Sequence, residues 1–160
     1  MIKCKNIRPT WNEYFFSIME AVATRSTCDR GKVGCVIVRD HRILSTGYAG
    51  APPGLPHCDD VGHLMETRAT LGNPKGSTHC VRTTHAELNA ILYAAKYGIS
   101  LDGSTLYCKM TPCYNCAMAI IACGIKKVIV KNFYHAGKRS IEMFAKVGIE
   151  YTQLNDSLTY

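Results

Sequence analysis

One constellation of residues constrains this chain more than any other. His85-Ala86-Glu87 is followed, after the 24 residues from 88 to 111, by Pro112-Cys113-Tyr114-Asn115-Cys116. Imidazole and thiolate groups are ligands that zinc prefers. We predict that both segments open helices, with Thr111 as cap and Pro112 in the first helical position of the second one. The fold must therefore bring two helix N-termini together.

The ligand set indicates a catalytic metal site. His85, Cys113 and Cys116 would leave one of the four tetrahedral zinc positions open, and a helix N-terminus favours the thiolate that a metal needs. Glu87 follows His85 closely, so it can take a proton from water, whose pKa zinc lowers toward about 7, and pass it to a substrate ring nitrogen and the departing amine. The pattern matches the H-x-E…P-C-x-x-C signature of zinc-dependent base deaminases, from which this mechanism is taken.

Simpler interpretations exist for each part of the pattern. Thr84 and Glu87 fit a capping box, in which Glu87 would only start a helix. Cys113 and Cys116 fit a structural zinc site or a redox pair. The joint occurrence of all these residues favours the catalytic interpretation.

Composition limits the class of protein. With 160 residues, we predict a single domain over 1–160, and no apolar run approaches the roughly 18 residues of a membrane span. Residues 1–9 lack the features of a secretory signal, which predicts a cytoplasmic protein. The net charge of +7 suits anionic partners or simple solubility.

In that compartment, the nine cysteines are metal ligands where they cluster and buried thiols where they are scattered. The scattered ones are Cys4, Cys35, Cys108 and Cys123.

Hydrophobic periodicity predicts an α/β fold. Helices are expected at 11–25, capped by Thr10 with Glu13, and at 85–97, 112–123 and 138–147. Strands are expected at 33–38, 43–48, 105–109, 128–131 and 149–151, the first two forming a hairpin. The segment 49–84 is irregular, with a short helix at 60–71. Such a long connection requires a stabilising device.

The chain resembles the deoxycytidylate deaminase family from about Arg8 to Ile149. The landmarks are Arg8-Pro9-Thr10-Trp11, Arg25-Ser26-Thr27-Cys28, Lys32-Val33-Gly34, Gly47-Tyr48, Ala51-Pro52, His57-Cys58, His85 to Ile91 and Gly124 to Val128. The resemblance implies a three-layer α/β/α fold with a mixed five-stranded sheet, and conversion of dCMP to dUMP and ammonia, which supplies thymidylate synthesis. It also implies a homohexamer regulated by dCTP and dTTP with Mg²⁺.

One departure from the family pattern affects the nucleotide site. The family usually has Gly-Tyr-Asn-Gly where this chain has Gly47-Tyr48-Ala49-Gly50, so an amide is replaced by a methyl group. Sugar recognition, allostery or both should therefore differ at Ala49.

Several further residues are candidates for substrate contact. The set is Arg25, Ser26, Ala49, Ala86 and Tyr134. Arg25, Ser26 and Tyr134 would serve the phosphate. Lys138 and Arg139 are weaker candidates and fit solvated surface positions better, while Asn89 is interpreted as a packing residue.

A second zinc is implied by the resemblance. Some family members carry a structural zinc bound partly by cysteines matching Cys28 and Cys58, with a histidine that is here His79. His57, His63 or Cys80 would complete the set, and such a metal would stabilise the long connection. The alternative is that these are buried thiols and surface histidines.

Two other functions compete with this one. A tRNA adenosine deaminase shares the zinc motif and would use the positive charge to hold RNA. The long insertion and Arg25-Ser26-Thr27-Cys28 argue against it, and no stable nucleic-acid partner is expected. A noncatalytic zinc module that binds nucleic acid would not need Glu87.

Overall fold

The computed structural model describes residues 8–70 and 73–155, so Cys4 lies outside the described residues. The helices are α1 (Trp11–Ala23), α2 (Cys58–Val61), α3 (Ala86–Lys96), α4 (Tyr114–Ala122) and α5 (Lys138–Lys146). The strands are β1 (Gly34–Arg39), β2 (Arg42–Tyr48), β3 (Met65–Thr70), β4 (Asn73–Cys80), β5 (Thr105–Met110), β6 (Lys127–Asn132) and β7 (Glu150–Gln153). Short 3₁₀ helices cover Asp29–Gly31 and His135–Gly137.

A mixed five-stranded sheet organises the fold in the order β2-β1-β5-β6-β7. β1 is antiparallel to both β2 and β5, whereas β5, β6 and β7 are parallel. The parallel half follows from the alternation of strands and helices after α3, because parallel neighbours need a crossover connection. The predicted α/β fold with a mixed five-stranded sheet is confirmed.

Alternate residues of the central strands face two different helix layers. Ile37 of β1 packs in a core cluster with α3, α4 and α5. Its neighbour Val36 packs with Phe15 and Met19 of α1 on the opposite face. This period of two produces the predicted three layers, with helices on both faces of the sheet.

Local signals at the N-terminal half are confirmed. The Thr10 hydroxyl accepts a hydrogen bond from the Glu13 amide at 3.3 Å, and the Glu13 carboxylate accepts one from the Thr10 amide at 2.7 Å. Asp40 and His41, with φ of 51° and 60°, form the tight turn that joins β1 to β2.

Gly47 allows β2 to lie directly on α3. A Cβ atom at this position would be 2.3 Å from the Ala86 carbonyl oxygen and 2.4 Å from the Ala90 nitrogen. Only glycine permits this approach. The end of β2 therefore reaches the start of α3, where His85 and Glu87 lie.

The segment 49–84 is more ordered than its composition indicated. The prediction of a helix at 60–71 is wrong over its described residues, 60–70: α2 ends at Val61, followed by Gly62 with φ of 78°. β3 and β4 form an antiparallel hairpin instead, with the Thr67 and Thr78 hydroxyls 2.9 Å apart. β-branched threonines favour such pairing.

None of the helices within the described ranges combines the length and the apolar character needed to cross a bilayer. The assignment of one domain to residues 1–160 stays a prediction.

Candidate active site

The structure brings His85, Cys113 and Cys116 together. The Nδ1 atom of His85 lies 3.4 Å from the Cys113 Sγ and 3.6 Å from the Cys116 Sγ. The three ligand atoms all lie within 4.8 Å of one another. This spacing suits a single metal ion, and the set of one imidazole and two thiols is one that zinc favours.

The ends of two helices position these ligands. His85 is the N-cap residue of α3. Cys113 is the N-cap of α4 and Cys116 lies in its first turn. The prediction of Thr111 as cap and Pro112 as first helical residue is wrong by two residues, because α4 begins at Tyr114. Both sulfurs nevertheless meet at one helix start, as the spacing predicted.

Electrostatics in this group favour ionisation of one of the two thiols, that of Cys113. A hydrogen bond from the Cys116 thiol, which outweighs burial, and a further one from His85 lower the pKa of Cys113 to about 4. The hydrogen bond to Cys113 raises the pKa of His85 to about 9. The neighbouring Cys113 sulfur and burial raise the pKa of Cys116.

Glu87 is a buried carboxyl group beside the ligands. It is 5% exposed, and its Oε2 atom lies 3.9 Å from the Cys116 Sγ. Burial raises its pKa, and the charge of His85 offsets this only in part. The N-cap residue of α3 is His85 and not Thr84, and within the described residues no side-chain capping hydrogen bond forms there. The capping-box interpretation of Thr84 and Glu87 is therefore wrong.

Asn89 has the packing role that was predicted. Its Nδ2 atom donates a hydrogen bond to the Tyr48 carbonyl oxygen at 2.8 Å. This bond ties the end of β2 to α3, and with it Ala49 to the ligand region.

A cavity of about 520 Å³ opens onto the His85 group. Three candidate contact residues, Ala49, Ala86 and Tyr134, lie in its wall together with Glu87. This volume falls in the range of about 300–1,000 Å³ that is usual for small-molecule sites.

Arg25 and Ser26 do not line this cavity. Arg25 is exposed, and the Ser26 hydroxyl donates a hydrogen bond to the Ala49 carbonyl oxygen at 2.9 Å. Ser26 therefore holds the loop that carries Ala49. Lys138 and Arg139 are also outside the wall; the Arg139 guanidinium lies 5.4 Å from the centre of the Tyr114 ring.

Sequence reasoning missed the cationic residues of the wall. Arg30, Lys32 and Lys109 line the cavity. Within residues 8–70 and 73–155, neither Lys32 nor Lys109 forms an ion pair with a carboxylate. The Lys32-Val33-Gly34 landmark indicated Lys32 in the sequence. No sequence feature indicated Lys109, because its position in the cavity wall depends on how β5 pairs with its neighbouring strands.

A second group of metal-ligating residues lies at one end of the same cavity. Its members are Cys28, Cys58, His63 and Cys80, whose ligand atoms all lie within 4.8 Å of one another. The Cys28 Sγ is 3.6 Å from the His63 Nδ1, and the Sγ atoms of Cys58 and Cys80 are 3.6 Å apart. Four protein ligands form a closed set, as in structural zinc sites.

The structure corrects one residue of the expected ligand set, because His79 is not in the second group of metal-ligating residues. Its Nε2 atom lies 2.6 Å from the Ser77 hydroxyl instead. Successive residues of a strand point to opposite sides, so Cys80 joins the group while His79 does not. His63 and Cys80, which were alternatives for one remaining position, both take part.

The second group has its own supporting contacts. The Asp29 carboxylate lies 3.0 Å from the Nε2 of His63, which leaves Nδ1 free to face Cys28. Burial opposes ionisation of Cys80, but hydrogen bonds from the Arg82 backbone and the Cys58 thiol lower its pKa to about 7. Burial, followed by the hydrogen bond with Cys80, raises the pKa of Cys58 to about 12.

Comparison with known families identifies the chain's class. Residues 9–132 match the model of the cytidine and deoxycytidylate deaminase zinc-binding region. The chain belongs to this family. The matched region includes both groups of metal-ligating residues and Glu87.

Individual relatives agree with this assignment. The chain is 43% identical over 124 residues to a deoxycytidylate deaminase of Mycobacterium phage D29, and the alignment covers 76% of this chain and 94% of the relative. It is 40% identical over 147 residues to ComE operon protein 2 of Bacillus subtilis, and this alignment covers 92% of this chain and 72% of that protein. The crystal structure of dCMP deaminase from cyanophage S-TIM5 with dCMP and dUMP superposes with a TM-score of 0.72 at 29% identity, covering 93% of this chain and 100% of the other.

Proposed function

We propose that this protein is a zinc-dependent deaminase that converts dCMP to dUMP and ammonia. The observation that carries the proposal is the buried Glu87 carboxyl group beside the His85, Cys113 and Cys116 group, at the wall of a cavity of about 520 Å³. Relatives named as deoxycytidylate deaminases support the choice of nucleotide.

The chain's own residues have distinct parts in this reaction. His85, Cys113 and Cys116 would hold zinc, which supplies the Lewis acidity that makes water a nucleophile at neutral pH. Glu87 would accept one proton of that water and give it to the ring nitrogen. It would then take the second proton, from the hydroxyl group added to the ring carbon, and give it to the amine, which leaves as ammonia. Its burial supports this role, because a carboxyl group whose pKa is raised toward neutrality can both take and give a proton.

Phosphate recognition is assigned to the cations of the cavity wall. Lys109 and Lys32 have no carboxylate ion-pair partner within the described ranges, and Arg30 lines the same cavity. A dianionic phosphate would be attracted by these charges. Arg25 and Ser26 are no longer candidates for direct contact, whereas Tyr134 stays one.

Sugar recognition and regulation depend on the loop after β2. Ala49 contributes a methyl group to the wall, and its backbone is held by hydrogen bonds with Val33 and Thr27 at 3.1 Å each. An apolar contact with the deoxyribose follows from this position. Regulation by dCTP and dTTP with Mg²⁺ would lack the amide that the family usually has here, so a weak or absent response to these effectors is part of the proposal.

A second, structural zinc is proposed at Cys28, Cys58, His63 and Cys80. Three thiols and one imidazole fit a closed tetrahedral site, and Asp29 orients His63 as neighbouring carboxylates often do for such ligands. The ion would fasten the start of α2 and the β3–β4 hairpin to the loop before β1.

A homohexamer in the cytoplasm completes the proposal. Exposed apolar and aromatic side chains on α3, at its C-cap and on α4 support self-association, namely Leu92, Tyr93, Tyr97, Tyr114 and Met118. A reducing compartment is required for thiol ligands to stay reduced. Light scattering of the purified chain tests the oligomer: a monomer at micromolar concentration would refute it.

The function is tested by offering three substrates to the zinc-loaded protein. We expect uridylate from dCMP, much slower turnover of deoxycytidine, and no inosine from an adenosine-containing tRNA hairpin. Lys109→Met should raise the KM for dCMP about tenfold and leave deoxycytidine unchanged, because one charged contact of about 1.4 kcal/mol is lost. Inosine formation would support a tRNA deaminase, and inactivity toward all three would support a noncatalytic zinc module.

A further inference from the structure

Thr111 joins two segments of the cavity wall through one buried hydroxyl group. Its Oγ1 atom accepts a hydrogen bond from the Tyr134 amide at 3.2 Å and lies 2.9 Å from the Tyr151 hydroxyl oxygen. The residue is 2% exposed. Both of these contacts of the hydroxyl are made to protein groups.

The two connected segments belong to different strands of the sheet. Thr111 follows β5 and precedes the ligand Cys113 by two residues, and its amide donates to the Asn132 carbonyl oxygen at 3.1 Å. Tyr134 follows β6. Cys113 and Tyr134 both line the cavity. The hydroxyl thus fixes the distance between the metal-binding turn and the Tyr134 turn.

The Thr111 side chain is also held from the opposite direction. A Cβ atom at Gly137 would lie 2.5 Å from the Thr111 methyl carbon, so the backbone of the 3₁₀ helix after Tyr134 packs directly on this methyl group. A β-branched side chain confined in this way has one available rotamer. Its hydroxyl is consequently kept in line with the Tyr134 amide.

We propose that Thr111 is a positioning residue that holds Tyr134 against the bound nucleotide and so sets substrate affinity. It acts through Tyr134 and does not itself belong to the group of metal-ligating residues. The proposal rests on the deaminase function for its kinetic part, but the hydrogen bond to the Tyr134 amide is a property of the fold alone.

The test compares Thr111→Val, which keeps the shape and removes the hydroxyl, with Thr111→Ser, which keeps the hydroxyl. For Thr111→Val we expect the KM for dCMP to rise about tenfold, kcat to change less than about twofold, and zinc content to stay constant. Thr111→Ser should remain within about twofold of the original chain. Loss of zinc, or a fall in kcat at unchanged KM, would overturn the proposal.

A double-mutant cycle separates positioning from general stability. If Thr111 acts through the Tyr134 side chain, Thr111→Val should have almost no effect on KM in a Tyr134→Ala background. An equal rise in KM in both backgrounds would show that Tyr134 is not the route. Should Thr111→Val fail to fold, Tyr151→Phe removes one partner of the hydroxyl and should raise KM about threefold; an unchanged KM would count against the proposal.

Hydrogen exchange of the Tyr134 amide gives a readout that does not depend on activity. Thr111→Val should speed this exchange at least about tenfold, while Thr111→Ser should preserve it. Unchanged exchange in Thr111→Val would refute the positioning role alone. Absence of dCMP turnover in the unmodified chain would refute the deaminase function and the kinetic part of this proposal, with the exchange result still deciding the contact.

Discussion

Glu87 illustrates how burial changes the acidity of an ordinary carboxyl group. It lies among Cys35, Cys108 and Cys116, where the ionised form is poorly solvated, and its pKa is raised as a result. A raised pKa in the folded state means that the stabilising contribution of the group is complete below its ordinary pKa of 4.5 and is lost as pH rises through the folded value.

Glu87→Gln should abolish turnover without harming the fold. We expect activity toward dCMP to fall at least about a hundredfold, because an amide cannot accept the proton of water. Zinc content should be unchanged, and the zinc-free variant should be at least as stable as the original chain at pH 7.5, since no buried charge is formed. Product formation, elemental analysis and thermal unfolding measure these three quantities. Full activity in this variant would disprove the assigned mechanism.

Zinc binding to the His85 group should release protons. At pH 7 the imidazole, with a pKa of about 9, is protonated and Cys116 is a thiol, whereas Cys113, with a pKa of about 4, is already a thiolate. The metal needs a neutral imidazole and two thiolates, so about two protons should leave at pH 7. Zinc affinity should rise with pH, most steeply below about 9, where the imidazole and the Cys116 thiol must both lose a proton.

Calorimetry in two buffers of different ionisation enthalpy measures this release. The control is a Cys113→Ser, Cys116→Ser chain, which retains only the Cys28, Cys58, His63 and Cys80 group. The difference between the two chains should be about two protons per chain, and equal release from both would contradict the expectation.

Residues with a local signature could be predicted, and residues placed by strand pairing could not. His85, Glu87, Cys113 and Cys116 follow from spacing and helix starts alone. Lys109 and Thr111 flank Met110 at the end of β5, and their positions at the cavity depend on the pairing of β5 with β1 and β6. No pattern in the sequence specifies that pairing.

Among the secondary-structure elements, the β3–β4 hairpin was the hardest to predict from the sequence. Its strands contain glycine, proline and charged residues and bury little surface, so hydrophobic periodicity is absent. The order of the hairpin comes from cross-strand pairs and from Cys80 at its end. A metal site can replace a core as the source of local stability.

Cys80→Ser tests this source of stability. We expect zinc content to fall from two ions to one per chain and the melting temperature to fall by at least about 5 °C, which is the shift that about 1–2 kcal/mol produces in a domain of this size. His79→Ala is the matched control, because its side chain lies on the other side of β4, and both zinc ions should remain. Loss of one ion from His79→Ala would restore the original ligand assignment.

At the scale of the whole molecule, capping and hydrophobic periodicity predicted the order of the elements outside the segment 49–84, whereas the three layers were implied by the family resemblance. The predicted bounds of these elements differ from the observed ones by one or two residues. For example, α1 ends at Ala23 instead of Arg25, and β6 extends from Lys127 to Asn132. The arrangement of the two metal groups around one cavity was not predictable, since it depends on the hairpin.

That shared cavity has a thermodynamic consequence. Cys28 and Cys80 belong both to the second metal group and to the wall of the cavity. We therefore expect a bound ion and a bound nucleotide each to stabilise the loop conformation that the other one needs. Linkage makes such an effect reciprocal: if the ion tightens nucleotide binding by some factor, the nucleotide tightens ion binding by the same factor. Saturating dUMP should therefore slow the loss of the second zinc to a chelator, and an unchanged rate would show that the two sites are independent. A cell short of zinc would then retain this enzyme in its loaded form for as long as its nucleotide pool is full.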